Sequence, residues 1–432
     1  MRILMVSLTI LLVSAAMACG TGATEKAEQP ADRPETGSAG GTGAGPEAGQ
    51  GGLVENPGAI PSGALGEFST DFTRSAITFE TILSGGPPKD GIPSIDSPKF
   101  ISLEAADRWI GPQEAVLVLR YKGRVRVYPL QILMWHEIVN DEIDGTSVIV
   151  TYCPLCNTGV AFKGEIDGQS MDFGTTGRLR YSNLIMYDRQ SETWWQQASG
   201  RGLIGEYAGR SLPLLPISIL PWNEVLRTYG GTESGLEDGA SGGLGTFYTS
   251  ENTKENSPVE VLSKQTGQSR PYGNNPYQGY DTNSSAFLYA GPETPDEYET
   301  MERVLAVQVE DEERAFPFEQ LSSNKVTETS IGGRRVVVFW QPGTASALDA
   351  GRLAEGRDVG SAQAYYPVLE DRETGDRTSL TFQWDGEAIR DEETGSRWSV
   401  SGRAIDGPLA GAQLESPVSI NHFWFSWNAF QK

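Results

Sequence analysis

The sequence predicts an α+β fold that is predominantly β and is built from two tandem, divergent copies of one β-rich unit. The first observation is an internal repeat, because shifting the chain by 188 residues places Pro129 on Pro317 without a gap. Identical residues and the apolar pattern are kept between residues 116–154 and 304–342. The second observation is alternation of apolar residues at the β period, with room for one short helix in each copy.

A hairpin opens the first copy. Apolar residues alternate at 116–118 and 125–127, which predicts paired strands that turn at Lys122-Gly123. A short helix is expected to start at Pro129, since a proline in the first helical position loses no hydrogen bond.

The remaining elements of the first copy are also predicted to be mostly strands. Asp144-Gly145 is typical of a turn and precedes a β-branched strand at 146–152. Residues 157–162 indicate a turn followed by a strand, and 171–173 indicate another strand. Because this order lacks alternating strands and long helices, a doubly wound parallel sheet is not expected.

Composition and the repeat together divide the chain into five parts. The stretch after the leader is rich in Gly, Ala, Pro and Glu and has few large apolar side chains, so we expect a disordered tether there. The predicted parts are a signal peptide (1–18), the tether (19–62), the first copy (63–229), a Gly/Ser loop with an irregular connection (230–290), and the second copy (291–432).

The amino terminus predicts a location in the bacterial cell envelope. Arg2, the apolar stretch 3–16 and the small residues before Cys19 are typical of a secretory leader. A cysteine at the new amino terminus resembles a bacterial lipoprotein signal, in which Cys19 carries the lipid. The alternative is a secreted protein without an anchor. Since no other apolar run approaches the ~18 residues of a membrane span, contact with a membrane is expected only through the lipid.

Charge excludes one class of partner. The chain has 57 acidic and 34 basic residues, and its net charge is -23. Such a surface repels phosphate backbones, so nucleic acid is not expected to bind.

Cys153 and Cys156 form a Cys-x-x-Cys pair directly after the strand at 146–152. Two thiols at this spacing can close as a disulfide or chelate one soft metal ion through both sulfurs. His136 could supply a third ligand, which would suit copper(I) or an open zinc position. On its predicted helix, however, His136 shares a face with apolar residues, so it could equally be a buried histidine with a backbone partner.

The repeat separates reactive residues from scaffold residues. Where the first copy has its two cysteines, the second has Gln341 and Thr344, and His136 falls on Asn324. A residue needed only to build the fold should occur in both copies. We therefore expect the first copy to be the active half and the second to be a structural partner.

Several longer motifs resemble one family, bacterial domain-of-unknown-function family 3179. The resemblance extends from about residue 90 to the carboxyl terminus, and it is carried by residues 150–159, 136–141, 173–174, 186–189, 275–277 and 279–281. It implies an envelope or secreted protein without an established activity. Members with selenocysteine in the cysteine motif imply redox chemistry, with Cys156 as the attacking residue.

Residues around the pair are candidates for supporting roles. His136 could activate a thiol, and so could Arg178 or Arg180, because positive charge lowers a thiol pKa. The motifs add a further set of supporting residues: Tyr152, Glu137 and Asp188.

Three functional hypotheses follow. The first is an oxidoreductase-like thiol–disulfide function with an unidentified redox or small-molecule partner and no cofactor. The second is a module that binds copper or zinc through Cys153, Cys156 and His136. The third is a structural or ligand-binding envelope protein in which the cysteines are inert.

Overall fold

The computed structural model describes residues 52–230, 259–370 and 375–431. The predicted signal peptide, Cys19, most of the tether and the Gly/Ser-rich part of the connection lie outside these residues. Within the described ranges, no helix is both long enough and apolar enough to cross a membrane.

The α-helices of the described residues are short. They are α1 (Ala64–Glu67), α2 (Leu103–Asp107), α3 (Leu130–His136), α4 (Trp222–Tyr229), α5 (Phe318–Asn324) and α6 (Trp424–Phe430).

Strands make up most of the regular structure, which confirms a predominantly β fold. The part before the second copy contains β1 (Ile82–Ser84), β2 (Phe100–Ile101), β3 (Ala115–Tyr121), β4 (Arg124–Pro129), β5 (Ile138–Ile143), β6 (Thr146–Cys153), β7 (Thr158–Lys163), β8 (Glu165–Ile166), β9 (Gln169–Ser170), β10 (Phe173–Arg180), β11 (Asn183–Asp188), β12 (Trp194–Gln196), β13 (Gly202–Ile204), β14 (Leu214–Leu215), β15 (Ile217–Pro221) and β16 (Glu260–Leu262).

The second copy contains β17 (Arg303–Val309), β18 (Glu312–Pro317), β19 (Val326–Ile331), β20 (Arg334–Gln341), β21 (Ser361–Tyr365), β22 (Val368–Glu370), β23 (Arg377–Ser379), β24 (Phe382–Trp384), β25 (Ile389–Asp391), β26 (Arg397–Trp398), β27 (Ala404–Asp406) and β28 (Val418–Phe423).

The repeat is visible as a series of matching elements. β3, β4, α3, β5 and β6 recur as β17, β18, α5, β19 and β20, and each pair is displaced by the same 188 residues that align Pro129 with Pro317. The closing strands match too, because β15 pairs with β3 and β28 pairs with β17 in the same antiparallel sense. The structure thus confirms two tandem copies.

Most predicted elements occur close to their expected positions. The β3–β4 hairpin turns at Lys122 (φ 49°) and Gly123 (φ 77°), a left-handed pair that suits a tight hairpin. Pro129 differs from the prediction, because it ends β4 in an extended conformation and caps α3 instead of being its first residue. The strand expected at 171–173 begins only at Phe173.

One helix was expected in each copy, and α1, α2, α4 and α6 were not predicted. α4 follows β15 directly, and α6 follows β28 at the corresponding place. Each copy therefore ends with a strand that runs into a helix of two turns, in addition to the expected helix near its start.

The sheets place the cysteine hairpin in the centre of the first copy. β6 and β7 lie in a four-stranded sheet of order β14-β7-β6-β5, next to a sheet of order β15-β3-β4-β16-β2 and one of order β1-β10-β11-β12-β13. β16, from the connection, pairs in parallel with β4, so the described part of the connection contributes to the first copy's sheet.

Two hydrophobic cores contain residues of both copies. One core contains Tyr152 and Cys153 of the first copy together with Phe423 and Phe425 of the second. Another combines the outer face of β3 with β20, β21 and β26. Burial of apolar surface between the copies stabilises both, since each buried large side chain contributes about 1.5–3 kcal/mol.

One polar turn is repeated in both copies. The Trp195 indole N–H donates a 2.9 Å hydrogen bond to Asp188 Oδ2, and Trp398 donates one of 2.8 Å to Asp391 Oδ2. Asp188 also accepts from the backbone N–H of Ser191 at 2.6 Å. Because the same arrangement occurs in the copy without cysteines, Asp188 has the contacts of a residue that builds the fold.

Candidate functional site

The cysteine pair forms the loop of the β6–β7 hairpin. Cys153 ends β6, a 3₁₀ turn spans Pro154–Cys156, and Asn157 adopts a left-handed conformation before β7 begins. Asparagine tolerates this conformation better than most residues. The Tyr152 hydroxyl donates to Asn157 Oδ1 at 3.1 Å, which ties the two ends of the loop together. The turn-and-strand prediction after the pair is confirmed.

Both cysteines are free and buried. Their thiols are 4.2 Å apart and are not joined in a disulfide. Burial raises the pKa of the Cys153 thiol well above its ordinary value, and the neighbouring Cys156 and Glu137 raise that pKa further. In this state Cys153 is therefore a protonated thiol and not a thiolate.

A strained turn accepts the hydrogen bond of Cys153. The Cys153 thiol donates to the Ser182 carbonyl at 3.8 Å, and Ser182 lies in the turn between β10 and β11. Tyr181 and Ser182 have φ values of 53° and 65°, a left-handed pair that is usually built from asparagine and glycine. Such a conformation costs on the order of 1–3 kcal/mol for each residue and persists only where its surroundings hold it.

Glu137 is a buried carboxylic acid at the same site. It follows α3 with a φ of 58°, so the chain reverses sharply between the helix and β5. Burial raises its pKa from 4.5 to about 7, and a hydrogen bond from Tyr277 opposes part of that rise. A group with this pKa exchanges its proton readily near neutral pH.

An open cavity of about 660 Å³ lies against the cysteine loop. Leu155, which separates the two cysteines, contributes to its wall together with Glu137 and Tyr277. Leu179 and Leu184 supply an apolar side. This volume lies within the ~300–1,000 Å³ typical of small-molecule sites.

The far wall of the cavity comes from the connection between the copies. The Tyr280 hydroxyl donates to the Leu155 carbonyl at 3.0 Å and accepts from the Phe287 backbone N–H at 3.3 Å. The Ser182 hydroxyl donates to the Phe287 carbonyl. Tyr280 therefore links the cysteine loop to residues 283–288, which line the cavity.

An ion-pair network fixes this wall to the second copy. Asp281, next to Tyr280, accepts from Arg303 at 2.7 Å and from the Ser346 hydroxyl at 2.6 Å. Arg357 donates to its other oxygen at 2.9 Å. Since Arg303 opens β17, the second copy holds the segment that closes the site of the first.

Both ring nitrogens of His136 have hydrogen-bond partners outside the cysteine loop. Its Nδ1 donates to the Pro93 carbonyl at 2.8 Å, so in the neutral ring Nε2 accepts from the Tyr272 hydroxyl at 2.7 Å. Burial lowers its pKa, which favours that neutral ring. These contacts match the alternative in which His136 is a buried histidine with a backbone partner.

The two arginines proposed as activators have other partners. The Arg178 guanidinium binds both carboxylate oxygens of Glu67 at 3.0 and 3.1 Å, although its side chain also lines the cavity. Arg180 lies over the Tyr181 ring at 4.2 Å. Neither contact places a free positive charge on the thiols, in agreement with the raised pKa of Cys153.

The second copy has different residues at the positions equivalent to those of the cysteine site. Lys325 and Trp340 stand where the first copy has Glu137 and Tyr152, and the Lys325 ammonium lies 4.0 Å from the Trp340 ring centre. At the loop, Asp358 accepts from the backbone N–H of Thr344 at 3.1 Å. An acid-capped turn thus replaces the cysteine loop.

A family model described as "Protein of unknown function (DUF3179)" matches residues 89–234 and 246–432. The chain belongs to this family. The matched segments include the cysteine loop, Glu137 and the cavity wall, which confirms the resemblance found in the sequence. No curated protein and no solved structure matches the chain.

The site of this DUF3179 chain does not gather the three ligands of the metal hypothesis. Nε2 of His136 is engaged by Tyr272, so its lone pair is not directed at a metal. In the described ranges, no group of three His, Cys, Asp or Glu side chains could hold a metal ion. Copper or zinc would have two sulfur ligands here, without the expected imidazole.

Sequence reasoning missed the cavity and its wall in this DUF3179 chain. Tyr277 and Tyr280 lie in the family-like motifs at 275–277 and 279–281, and those motifs were the available signal. Neither tyrosine could be assigned to the cysteine site from spacing, because both are more than a hundred residues from Cys156.

Proposed function

We propose that this protein is a lipid-anchored envelope protein that carries out thiol–disulfide redox chemistry at Cys153 and Cys156. The observation that carries the proposal is the pair of free thiols, 4.2 Å apart in one hairpin loop. Closing the disulfide would bring the two sulfurs from this spacing to ~2 Å. The absence of both cysteines from the second copy is consistent with a chemical role.

The reaction is an exchange of one disulfide for another. Cys156, as a thiolate, attacks a sulfur of the substrate disulfide, forms a mixed disulfide and releases one substrate thiolate. Cys153 then attacks the Cys156 sulfur, which releases the second substrate thiolate. The substrate disulfide gains two electrons, and the pair is left as the Cys153–Cys156 disulfide.

Glu137 is suited to accept the proton of Cys153. The pKa of this carboxyl is about 7, whereas burial holds the pKa of Cys153 well above its ordinary value. A resolving cysteine with a high pKa stays protonated until the mixed disulfide forms. A neighbouring base can then remove its proton as it attacks.

The first test is a thiol titration combined with metal analysis on the full chain with Cys19→Ser, as isolated and after mild reduction. Two thiols that titrate after reduction, together with a reversible potential above the roughly −300 mV of inert structural bridges, would support the redox function. Cys153→Ser and Cys156→Ser should each abolish the two-electron couple.

Two other results would contradict the redox function. About one copper or zinc per chain, protecting both thiols and lost in Cys153→Ser, would assign the pair to a soft-metal site. Thiols that remain unreactive across a wide range of redox buffers in a normally folded chain would make the cysteines structural.

A further inference from the structure

The cavity beside the cysteine loop has a lining that is mostly apolar. Leu155, Leu179, Leu184 and Phe287 all line it. The Phe287 side chain is 51 % exposed although it is large and apolar. An apolar residue at the rim of an apolar cavity is typical of a site that receives a ligand.

The charged side chains that line the cavity, Arg178 and Glu137, already have partners in the protein. Arg178 lines the cavity, but both of its terminal nitrogens are bound by the Glu67 carboxylate. Glu137 is 6 % exposed, and the Tyr277 hydroxyl donates to it. An anion entering the cavity would lose its hydration without gaining an unpaired cation, which disfavours charged ligands.

Hydrogen-bonding side chains also line the cavity: Glu137, Tyr277, Thr175, Asn283, Ser284 and Ser285. Of the cysteine loop itself, Leu155 is the residue in the cavity wall. A ligand that fits this lining has an apolar body and polar oxygens.

We infer that the cavity binds a small neutral molecule with an apolar body, and that a two-electron acceptor of the quinone class is the partner that oxidises the cysteine pair. The electron-transfer half of this inference rests on the proposed redox function, whereas the binding half does not. In the reverse direction, the exchange oxidises a substrate dithiol and leaves Cys153 and Cys156 as thiols. Another round then requires a two-electron acceptor that restores the disulfide, and a neutral, largely apolar acceptor is the kind this cavity can hold.

The oxidation balances with a quinone. Two S–H bonds break at Cys153 and Cys156, and one sulfur–sulfur bond forms. The two electrons and two protons pass to the two quinone oxygens, which gives the hydroquinone. Glu137 and Tyr277 are among the hydrogen-bonding groups of the lining that such an oxygen would meet.

The binding half can be tested without redox chemistry. The full chain with Cys153→Ser and Cys156→Ser is titrated with duroquinone by calorimetry. We expect saturable binding of one molecule per chain. The analogue in which one methyl of duroquinone is replaced by carboxymethyl should bind at least about 10-fold more weakly, a loss of ~1.4 kcal/mol.

Substitutions in the cavity wall test whether duroquinone binds in the cavity. Ala286 lines the cavity and Ala290, four residues further on, does not appear in its wall. Ala286→Trp should weaken duroquinone binding at least about 10-fold, whereas the matched Ala290→Trp should leave it unchanged. Thermal unfolding verifies that each variant is folded, and Ala286→Leu serves if the larger residue disrupts the fold.

Several outcomes would overturn the inference. No saturable binding, equal binding by Ala286→Trp, or equal binding of the carboxylate analogue would each remove the cavity as a site for neutral ligands. If duroquinone binds but leaves the reduced wild-type pair unoxidised, the electron-acceptor half fails. A reversible potential of the pair in that case would show that the redox function itself survives.

Discussion

The Tyr277 hydroxyl donates a 3.4 Å hydrogen bond to Oε1 of Glu137, and this contact joins the connection between the copies to the acid beside the cysteine pair. The hydrogen bond favours the charged carboxylate and so holds the Glu137 pKa below the value that burial alone would give. The acidity of the site is therefore set in part by a residue far away in the sequence.

Tyr277→Phe should raise the pKa of Glu137 above about 7, because the variant removes a hydrogen bond that stabilises the carboxylate. Infrared difference spectroscopy of the carboxyl band across pH 5–9 measures the change. Tyr280→Phe is the matched control, since that hydroxyl binds the Leu155 carbonyl and not Glu137. An unchanged or lowered pKa in Tyr277→Phe would contradict the assignment.

Glu137 should make the protein less stable as pH rises. Its pKa is 4.5 when exposed and about 7 in the fold, so the folded state binds the proton more tightly. The favourable contribution is complete below pH 4.5 and is lost as pH rises through about 7. The loss should be on the order of 3 kcal/mol as an upper value.

Glu137→Gln should remove this dependence, because an amide does not titrate. The free energy of unfolding from urea titrations at pH 5 and pH 8 gives the comparison. A difference between the two pH values that is equal in wild type and variant would show that Glu137 is not the titrating group.

The thiols should discriminate between neutral and charged reagents. Cys153 and Cys156 are buried, and the apolar cavity lies against the loop that carries them. In the folded chain with Cys19→Ser, methyl methanethiolsulfonate should modify the pair at least ~10-fold faster than its sulfonatoethyl analogue. In urea the two reagents should react at similar rates. Equal rates in the folded chain would mean that the thiols are reached by another path.

Asp188 should matter for stability rather than for thiol chemistry. Asp188→Ala leaves the Trp195 indole N–H without its 2.9 Å acceptor in a fully buried position, which should cost about 1–3 kcal/mol. Asp391→Ala removes the equivalent contact to Trp398 and should cost a similar amount. Thermal unfolding measures both. A change in the thiol potential in Asp188→Ala, with Asp391→Ala unaffected, would return Asp188 to the site.

The repeat and the hairpins could be predicted because they depend on local patterns. Lys122-Gly123 and Asp144-Gly145 specify tight turns through their own backbone preferences, and both turns form as expected. The displacement of 188 residues followed from identities that the fold keeps in both copies.

The electrostatics of the site could not be predicted in the same way. Arg178 was expected near the thiols, but its partner Glu67 lies 111 residues away and was not identifiable from spacing. The pKa values of Glu137 and Cys153 depend on burial, which arises only when distant strands pack together. The cavity has the same origin, because its lining comes from residues 85–184 of the first copy and residues 277–288 of the connection.

Through the Asp281 network, the second copy holds in place a segment that lines the cavity of the first copy. Arg303 and Arg357 belong to the second copy, and both form ion pairs with Asp281 in the connection. The connection also supplies the cavity wall next to the cysteine loop. The second copy therefore contributes to the structure around the cysteine loop although it has no cysteines of its own. Separating the two copies would remove the ion pairs that hold one wall of the cavity in place.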